Sequence, residues 1–342
     1  MADYGRLKGK LIAVTGATGL LGRELVRQLL PHGATIRLIV RDRKRLSGLY
    51  EHLGSIPDFE IVETELTNPI ELAEAFTGVY ILFNCAAQVS FRFDDKEDIV
   101  RVNTDIARHV AEASIKAKVG RLVHVSSIAS MCQLSDGGPI DETCYPDNIT
   151  GWNGYATSKY YSENEIWRGI MQGLDAVIVN PSVILGPGDW NGSGSAALFA
   201  VLSHGLPAYT EGGTGVVDVR DVARAMTDLS VTDCASGKRF IVSGANVTYK
   251  ELISKISGVS GKRPPKIKAG LKTLNLFASL FNTAMRLAGK DTRLTAGLIK
   301  TALAETSYSS KALEKTTGFV FTPLDDTISY MASEYRKFQS KK

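Results

Sequence analysis

Residues 11–22 read Leu-Ile-Ala-Val-Thr-Gly-Ala-Thr-Gly-Leu-Leu-Gly, and this stretch decides the fold. Five strand-forming residues run into glycines spaced G-x-x-G-x-x-G, and the next eight residues, Arg-Glu-Leu-Val-Arg-Gln-Leu-Leu, have helical periodicity. A strand entering a helix through glycines lets a pyrophosphate approach the amides at the helix N-terminus, where a Cβ would hold it off. Gly16, Thr18, Gly19, Leu20, Leu21 and Gly22 are therefore the expected phosphate-binding turn of a dinucleotide site.

Working outward, apolar strand-like runs at 11–15, 35–40, 59–64, 79–87, 121–127 and 175–180 alternate with helical segments at about 20–30, 68–76, 97–117 and 153–171. That alternation predicts an α/β fold, a doubly wound parallel sheet of the Rossmann type. After Pro181 the pattern stops: residues 186–215 are rich in Gly, Pro, Ser and Asn and read as a loop-rich substrate lip. A strand and helix at 216–230 and a strand at 238–243 return the chain to the sheet. The expected division is a dinucleotide-binding domain of residues 1–181 and 216–243, with a smaller, mostly helical substrate region of 182–215 and 244–342.

The 342 residues are 44% hydrophobic and 22% charged, as in ordinary globular chains, and the net charge of +4 is too small to suggest nucleic-acid binding. Cys85, Cys132, Cys144 and Cys234 are scattered without metal-ligand spacing, so reduced thiols and no metal are expected. The N-terminus shows no apolar secretion signal and no stretch is long enough to span a bilayer, which makes a cytoplasmic location the expectation.

The second strand ends at Arg41, about 20 residues beyond the glycines, where an acid would accept the ribose 2′-hydroxyl of NAD. A cation there, with Arg43 nearby, suits the 2′-phosphate of NADP, so NADP is preferred to NAD. Tyr155 and Lys159, four apart on one helix face, form a candidate proton-transfer pair. A tyrosine, with its pKa of about 10, needs a nearby cation to favour the phenolate, and Lys159 is expected to supply it. Ser127, ending the fifth strand, is the expected holder of a substrate oxygen, with Ser126 and Ser130 as competitors. The Tyr-x-x-x-Lys spacing recurs at Tyr4 and Lys8, so position after Ser127 and the glycines, not spacing, carries the inference.

In sequence order, Thr15-Gly16-Ala17-Thr18-Gly19-Leu20-Leu21-Gly22, Asn84-Cys85-Ala86-Ala87, Val125-Ser126-Ser127, Tyr155-Ala156-Thr157-Ser158-Lys159 and Asn180-Pro181-Ser182-Val183 resemble an extended short-chain dehydrogenase/reductase. The resemblance implies Tyr155 as proton donor or acceptor, Lys159 as its partner and ribose ligand, and Ser127 as carbonyl holder. It places Ala86 and Ala87 by the nicotinamide ribose, Pro181, Ser182 and Val183 beside the ring, and Glu65 and Leu66 against the adenine, where the family usually has Asp-Leu. Asn103 matches a family helix position, but Ile106 and Ala107 replace the usual Gly-Thr, which favours a structural role for it.

Family members acting on sugar nucleotides carry Arg-Tyr-Phe-Asn where this chain has Asn180-Pro181-Ser182-Val183, a form closer to dihydroflavonol-reductase-like and 3β-hydroxysteroid-dehydrogenase-like proteins. The resulting expectation is hydride exchange between a nicotinamide and the carbonyl or alcohol carbon of a small hydrophobic or cyclic substrate. A nucleotide-sugar epimerase or dehydratase is the alternative, followed by a non-catalytic dinucleotide sensor. Phe91, Phe93, Trp152, Trp190, Phe199 and Tyr209 are candidates for an apolar pocket. An apolar stripe with lysines and arginines over 266–290 is read as a helix over the pocket in preference to one on a membrane surface. By family likeness, a homodimer would form through 97–117 and 153–171.

Overall fold

The computed structural model describes residues 2–88, 96–132, 138–192, 194–287 and 296–340. Seven parallel strands form the central sheet: β1 (Leu11–Thr15), β2 (Thr35–Val40), β3 (Glu60–Glu63), β4 (Ile81–Asn84), β5 (Arg121–Val125), β6 (Ala176–Pro181) and, after further elements, Lys238–Val242. Helices α1 (Leu20–Leu29), α2 (Ser47–Leu53), α3 (Pro69–Ala75), α4 (Lys96–Lys116) and α5 (Gly154–Met171) connect the first six. Between β6 and the seventh strand of the sheet lie β7 (Val183–Leu185), α6 (Ser195–Ser203), β8 (Ala208–Tyr209), β9 (Gly213–Asp218) and α7 (Val219–Ser230). The seventh sheet strand is thus β10, and the spatial order is β10-β6-β5-β4-β1-β2-β3. Strand order reverses between β1 and β4, and a crevice opens there beyond the carboxyl ends of the strands.

Both faces of the sheet are covered because both sides of each strand are apolar. Ile12, Val14, Ile36, Leu38, Ile81, Phe83, Val123, Val177 and Val179 enter one core with α1 and α7. Their alternates Ala13, Ile39, Leu82, Leu122, Ala176 and Ile178 enter the other, under α3, α4 and α5. Side chains alternate with period two, so continuous apolar runs produce this two-sided burial.

The remaining elements are β11 (Ala245–Thr248), α8 (Tyr249–Val259), β12 (Ile267–Lys268), α9 (Leu271–Leu287), α10 (Ala296–Leu303), α11 (Lys311–Thr317) and α12 (Leu324–Ser340). β11, β9 and β7 form a second small sheet, and β12 pairs with β8. A third core joins α6, α8 and α12 through Phe199, Leu252, Ile256, Ile328 and Met331.

Four expectations are corrected. Helix α6 occupies part of the segment read as loop, because Phe199 and Leu202 find an apolar partner in the third core. Trp190 and Phe199 are buried there, Trp190 packing on Tyr335 and Phe338, and neither is free to line a pocket; Tyr209 lies at its margin beneath the Lys250 ammonium. Phe91 and Phe93 lie outside the described residues, and Trp152 stacks edge-on against Tyr160. Cys132 and Cys144 form a disulfide, their Cα atoms 5.6 Å apart, leaving Cys85 and Cys234 as the free thiols. Finally, the apolar stripe on α9 is only partly covered: Leu274 and Phe281 are half-buried, but Phe277 is 58% exposed, beside Leu276 and Leu280 at 63%.

Candidate active site

At the β1–α1 turn Gly16 adopts φ +70°, and a Cβ on it would sit 2.7 Å from the Ala86 amide nitrogen. The turn therefore presses directly on the chain leaving β4. A Cβ on Gly22 would lie 2.2 Å from the Gly16 carbonyl oxygen, so the first turn of α1 can pack on the strand end only through glycine. Gly19 is the N-cap of α1 and carries no capping side chain; the first turn contains no acid. The amides and positive dipole end at Leu20, Leu21 and Gly22 thus face the crevice without a competing carboxylate, as a phosphate site requires.

The floor of the crevice is a buried polar chain. Thr15 Oγ1 donates to Asn84 Oδ1 at 2.7 Å and accepts from the Ala86 amide at 3.3 Å. Asn84 Nδ2 donates to His124 Nδ1 at 3.0 Å, which puts the proton of the neutral ring on Nε2. Burial, with the nearby Lys159 ammonium, pushes the His124 pKa down to about 3, so the ring stays neutral. Burial pushes the Cys85 thiol up to about 12, and the sulfur is no nucleophile at neutral pH. Asn103 holds both backbone groups of Gln88 at 2.8 Å and donates to Ser158 Oγ at 3.2 Å, tying the exit of β4 to α5. Asn103 is thus part of the scaffold.

Tyr155 and Lys159 lie one turn apart at the start of α5, whose N-cap Asn153 accepts from the Ala156 amide at 2.8 Å. The Ser127 hydroxyl is hydrogen-bonded to Tyr155. Burial raises the phenol pKa above its ordinary value, and the Ser127 bond opposes this shift. Lys159 Nζ donates to the Val125 carbonyl at 3.0 Å, which holds the ammonium against the end of β5. Burial brings the Lys159 ammonium down to about 8, with Cys85 and Glu163 opposing the shift.

Beneath these residues lies a carboxylate that motif reading did not single out. Glu163, 3% exposed, accepts from Ser126 Oγ at 2.7 Å, Ser130 Oγ at 2.9 Å, Asn180 Nδ2 at 2.8 Å, Trp167 Nε1 at 3.3 Å and Arg239 at 3.1 Å. Asn180 Nδ2 also donates to the Ser127 carbonyl at 3.2 Å. Both competing serines are thereby spent on Glu163, and Ser127 alone of the three is bonded to Tyr155. The available signal was Glu163 falling one helical turn after Lys159; Arg239, on β10, gives none.

Of the other expected residues, Arg41 is exposed at the tip of β2 and makes no hydrogen bond or ion pair among the described residues, whereas Arg43 is bound to the Ile61 carbonyl at 2.9 Å and to Glu63 at 3.5 Å. Glu65 is exposed, and Leu66 is half-buried against the second core. Pro181 and Ser182 are buried at the end of β6, with the Ser182 amide on the Val242 carbonyl at 3.0 Å; Val183 is 37% exposed. Among the described residues no cluster could hold a metal ion.

A doubly wound sheet with an uncapped glycine turn at its switch point, and a tyrosine and lysine beside it, defines a nicotinamide-dinucleotide enzyme. Residues 12–240 match the NAD dependent epimerase/dehydratase family, and the chain belongs to it, as an NAD(P)-dependent oxidoreductase of the extended short-chain type. It is 30% identical over 308 residues to a putative dihydroflavonol 4-reductase of Synechocystis, covering 88% of each chain. It is likewise 30% identical over 257 residues to cinnamoyl-CoA reductase 1 of Arabidopsis thaliana, covering 71% of this chain and 73% of that one. The crystal structure of gox2253 superposes with a TM-score of 0.80 at 30% identity, covering 96% of this chain and 99% of that one.

Proposed function

We propose that this chain is an NADPH-preferring reductase of aldehydes or ketones, acting on a small hydrophobic or cyclic substrate. The carrying observation is the Ser127–Tyr155 hydrogen bond, with Lys159 one turn along α5, at the same sheet edge as the Gly16 turn. The glycine turn and the free N-terminus of α1 fit a pyrophosphate, and the unpaired Arg41 fits a 2′-phosphate. The bound nicotinamide would supply hydride exchange with the substrate carbonyl carbon. Ser127 holds the carbonyl oxygen, and Tyr155 gives it a proton. Tyr155 suits that direction because burial keeps the phenol protonated at neutral pH. Lys159 holds the cofactor ribose and supplies positive charge as the proton leaves Tyr155.

The reductase names of the two relatives support this reading over epimerisation, as does Val183 in place of a diphosphate-binding asparagine. The test is a screen of aldehydes, cyclic ketones, steroids and sugar nucleotides with NADPH and NADH, followed at the nicotinamide absorbance, then repeated with Tyr155→Phe. General acid catalysis contributes about 10²- to 10⁴-fold, so the variant should lose that much kcat on any substrate found and still bind NADPH. Conversion of a sugar nucleotide without net cofactor oxidation, or a variant with near-full activity, would overturn the proposal.

A further inference from the structure

The segment from Leu252 to Lys290 contains eight lysines and arginines and no aspartate or glutamate, in a chain whose total charge is only +4. The rest of the molecule is therefore net acidic, and the positive charge is concentrated on α8, β12, α9 and their connections. Lys262, Arg263, Lys266 and Lys272 are exposed and have no acidic partner among the described residues; Lys255 pairs with Asp325 at 2.7 Å and Lys268 with Glu211 at 2.5 Å.

The same segment carries the largest run of exposed apolar side chains on the described surface. Ile267 is 60% exposed, Leu271 56%, Leu276 63%, Phe277 58% and Leu280 63%. With about 100° between successive helical residues, Leu276, Leu280 and Phe277 share an arc of about 100°, and Lys272 borders it. Ala278, on the opposite side, is buried. The half-buried Leu274 and Phe281 share that inward side, and α9 turns Leu276, Phe277 and Leu280 outward. Single exposed leucines are ordinary on protein surfaces, but a contiguous apolar face edged with cations is a docking surface.

We infer that β12 and the first half of α9 lie on an anionic lipid surface, with Leu276, Phe277 and Leu280 entering the headgroup boundary and the lysines meeting the lipid charge. Charge selects this occupant. A second copy docking through the same face about a twofold axis would set one cationic patch against another. No helix among the described residues is long and apolar enough to cross a membrane, so the contact is peripheral.

The experiment is co-sedimentation of the full chain with vesicles of phosphatidylcholine containing phosphatidylserine, and with vesicles of phosphatidylcholine alone, at low and high salt. Binding should require phosphatidylserine and weaken with salt. Reversing charge in Lys266→Glu/Lys272→Glu should lower partition at least twentyfold, at about fivefold per cation removed. Leu276→Ser/Leu280→Ser should lower it at least tenfold, with an unchanged melting temperature establishing that the variant is folded. No binding to anionic vesicles, equal binding to neutral ones, or binding indifferent to both double substitutions would each overturn the inference. So would a dimer that dissociates on Leu276→Ser/Leu280→Ser while vesicle binding is absent.

Discussion

Replacing Arg239 by methionine should destabilise the protein by about 3 kcal/mol and slow its chemistry, although Arg239 touches no expected substrate or cofactor position. Its guanidinium and the Glu163 carboxylate are each only 4% exposed, and the two meet at 3.1 Å. Removing one partner of a buried ion pair costs about 3–5 kcal/mol, because the other charge is left in a medium that solvates it poorly. Four neutral donors from Ser126, Ser130, Asn180 and Trp167 would remain on Glu163, which places the loss at the lower end. Arg239 also holds the carbonyls of Glu142 at 2.9 Å and Cys144 at 2.8 Å, so the loop carrying the Cys132–Cys144 disulfide should loosen with it.

A second substitution separates this mechanism from simple loss of packing, read by urea unfolding of wild type and variants. Arg239→Met/Glu163→Gln should recover part of the loss, since the stranded charge is gone. Because Glu163 secures Ser126 and Ser130 on either side of Ser127, kcat should fall while the KM for cofactor holds. A loss under 1 kcal/mol, or no recovery in the double variant, would refute the argument.

Lys159→Met should abolish most activity yet stabilise the protein at pH 7. The folded chain gives up the Lys159 proton near pH 8 and the unfolded chain near 10.5, so between those values the unfolded state binds more protons and stability rises with pH. At pH 7 the buried ammonium thus costs about 3 kcal/mol, against about 1 kcal/mol for the bond to Val125 that methionine loses. A net gain of about 2 kcal/mol at pH 7 that vanishes by pH 10 in urea titrations is expected. Arg41→Ser should raise the KM for NADPH about tenfold and leave that for NADH unmoved, the value of one charge-assisted bond at an exposed site. Equal changes for both cofactors in initial-rate measurements would remove Arg41 from the 2′-phosphate site.

The parallel sheet was legible because its strands are apolar on both sides, and its edges fall within a few residues of the runs that announce them. At the site, Gly16, Gly22, Ser127, Tyr155 and Lys159 come together from segments whose order along the chain already implied one sheet edge. Helix α6 was hidden because the surrounding glycines look like loop, while the residues that stabilise it lie on α8 and α12. Trp190 was misplaced for the same reason: its partners Tyr335 and Phe338 are more than 140 residues away. Arg239 alternates with Phe240 on β10 and resembles an outward charge on a half-buried strand; only the fold sets α5 over that face.

The choice among three serines shows where local reading ends. Ser126, Ser127 and Ser130 are equivalent in a sequence, each a small hydroxyl just past the fifth strand. In the structure Glu163 draws Ser126 and Ser130 to one oxygen, at 2.7 and 2.9 Å, and Asn180 holds the Ser127 carbonyl at 3.2 Å. Ser127 Oγ accepts from the Ala129 amide at 3.1 Å as the N-cap of a short 3₁₀ turn. The hydroxyl keeps its proton and a second lone pair for another partner, and the partner it meets is Tyr155. A hydroxyl that donates to a phenol oxygen lowers the phenol's pKa, the direction needed for a group that must release a proton. The carboxylate one turn beyond Lys159 therefore determines which serine faces Tyr155, and it does so without touching either residue's hydroxyl.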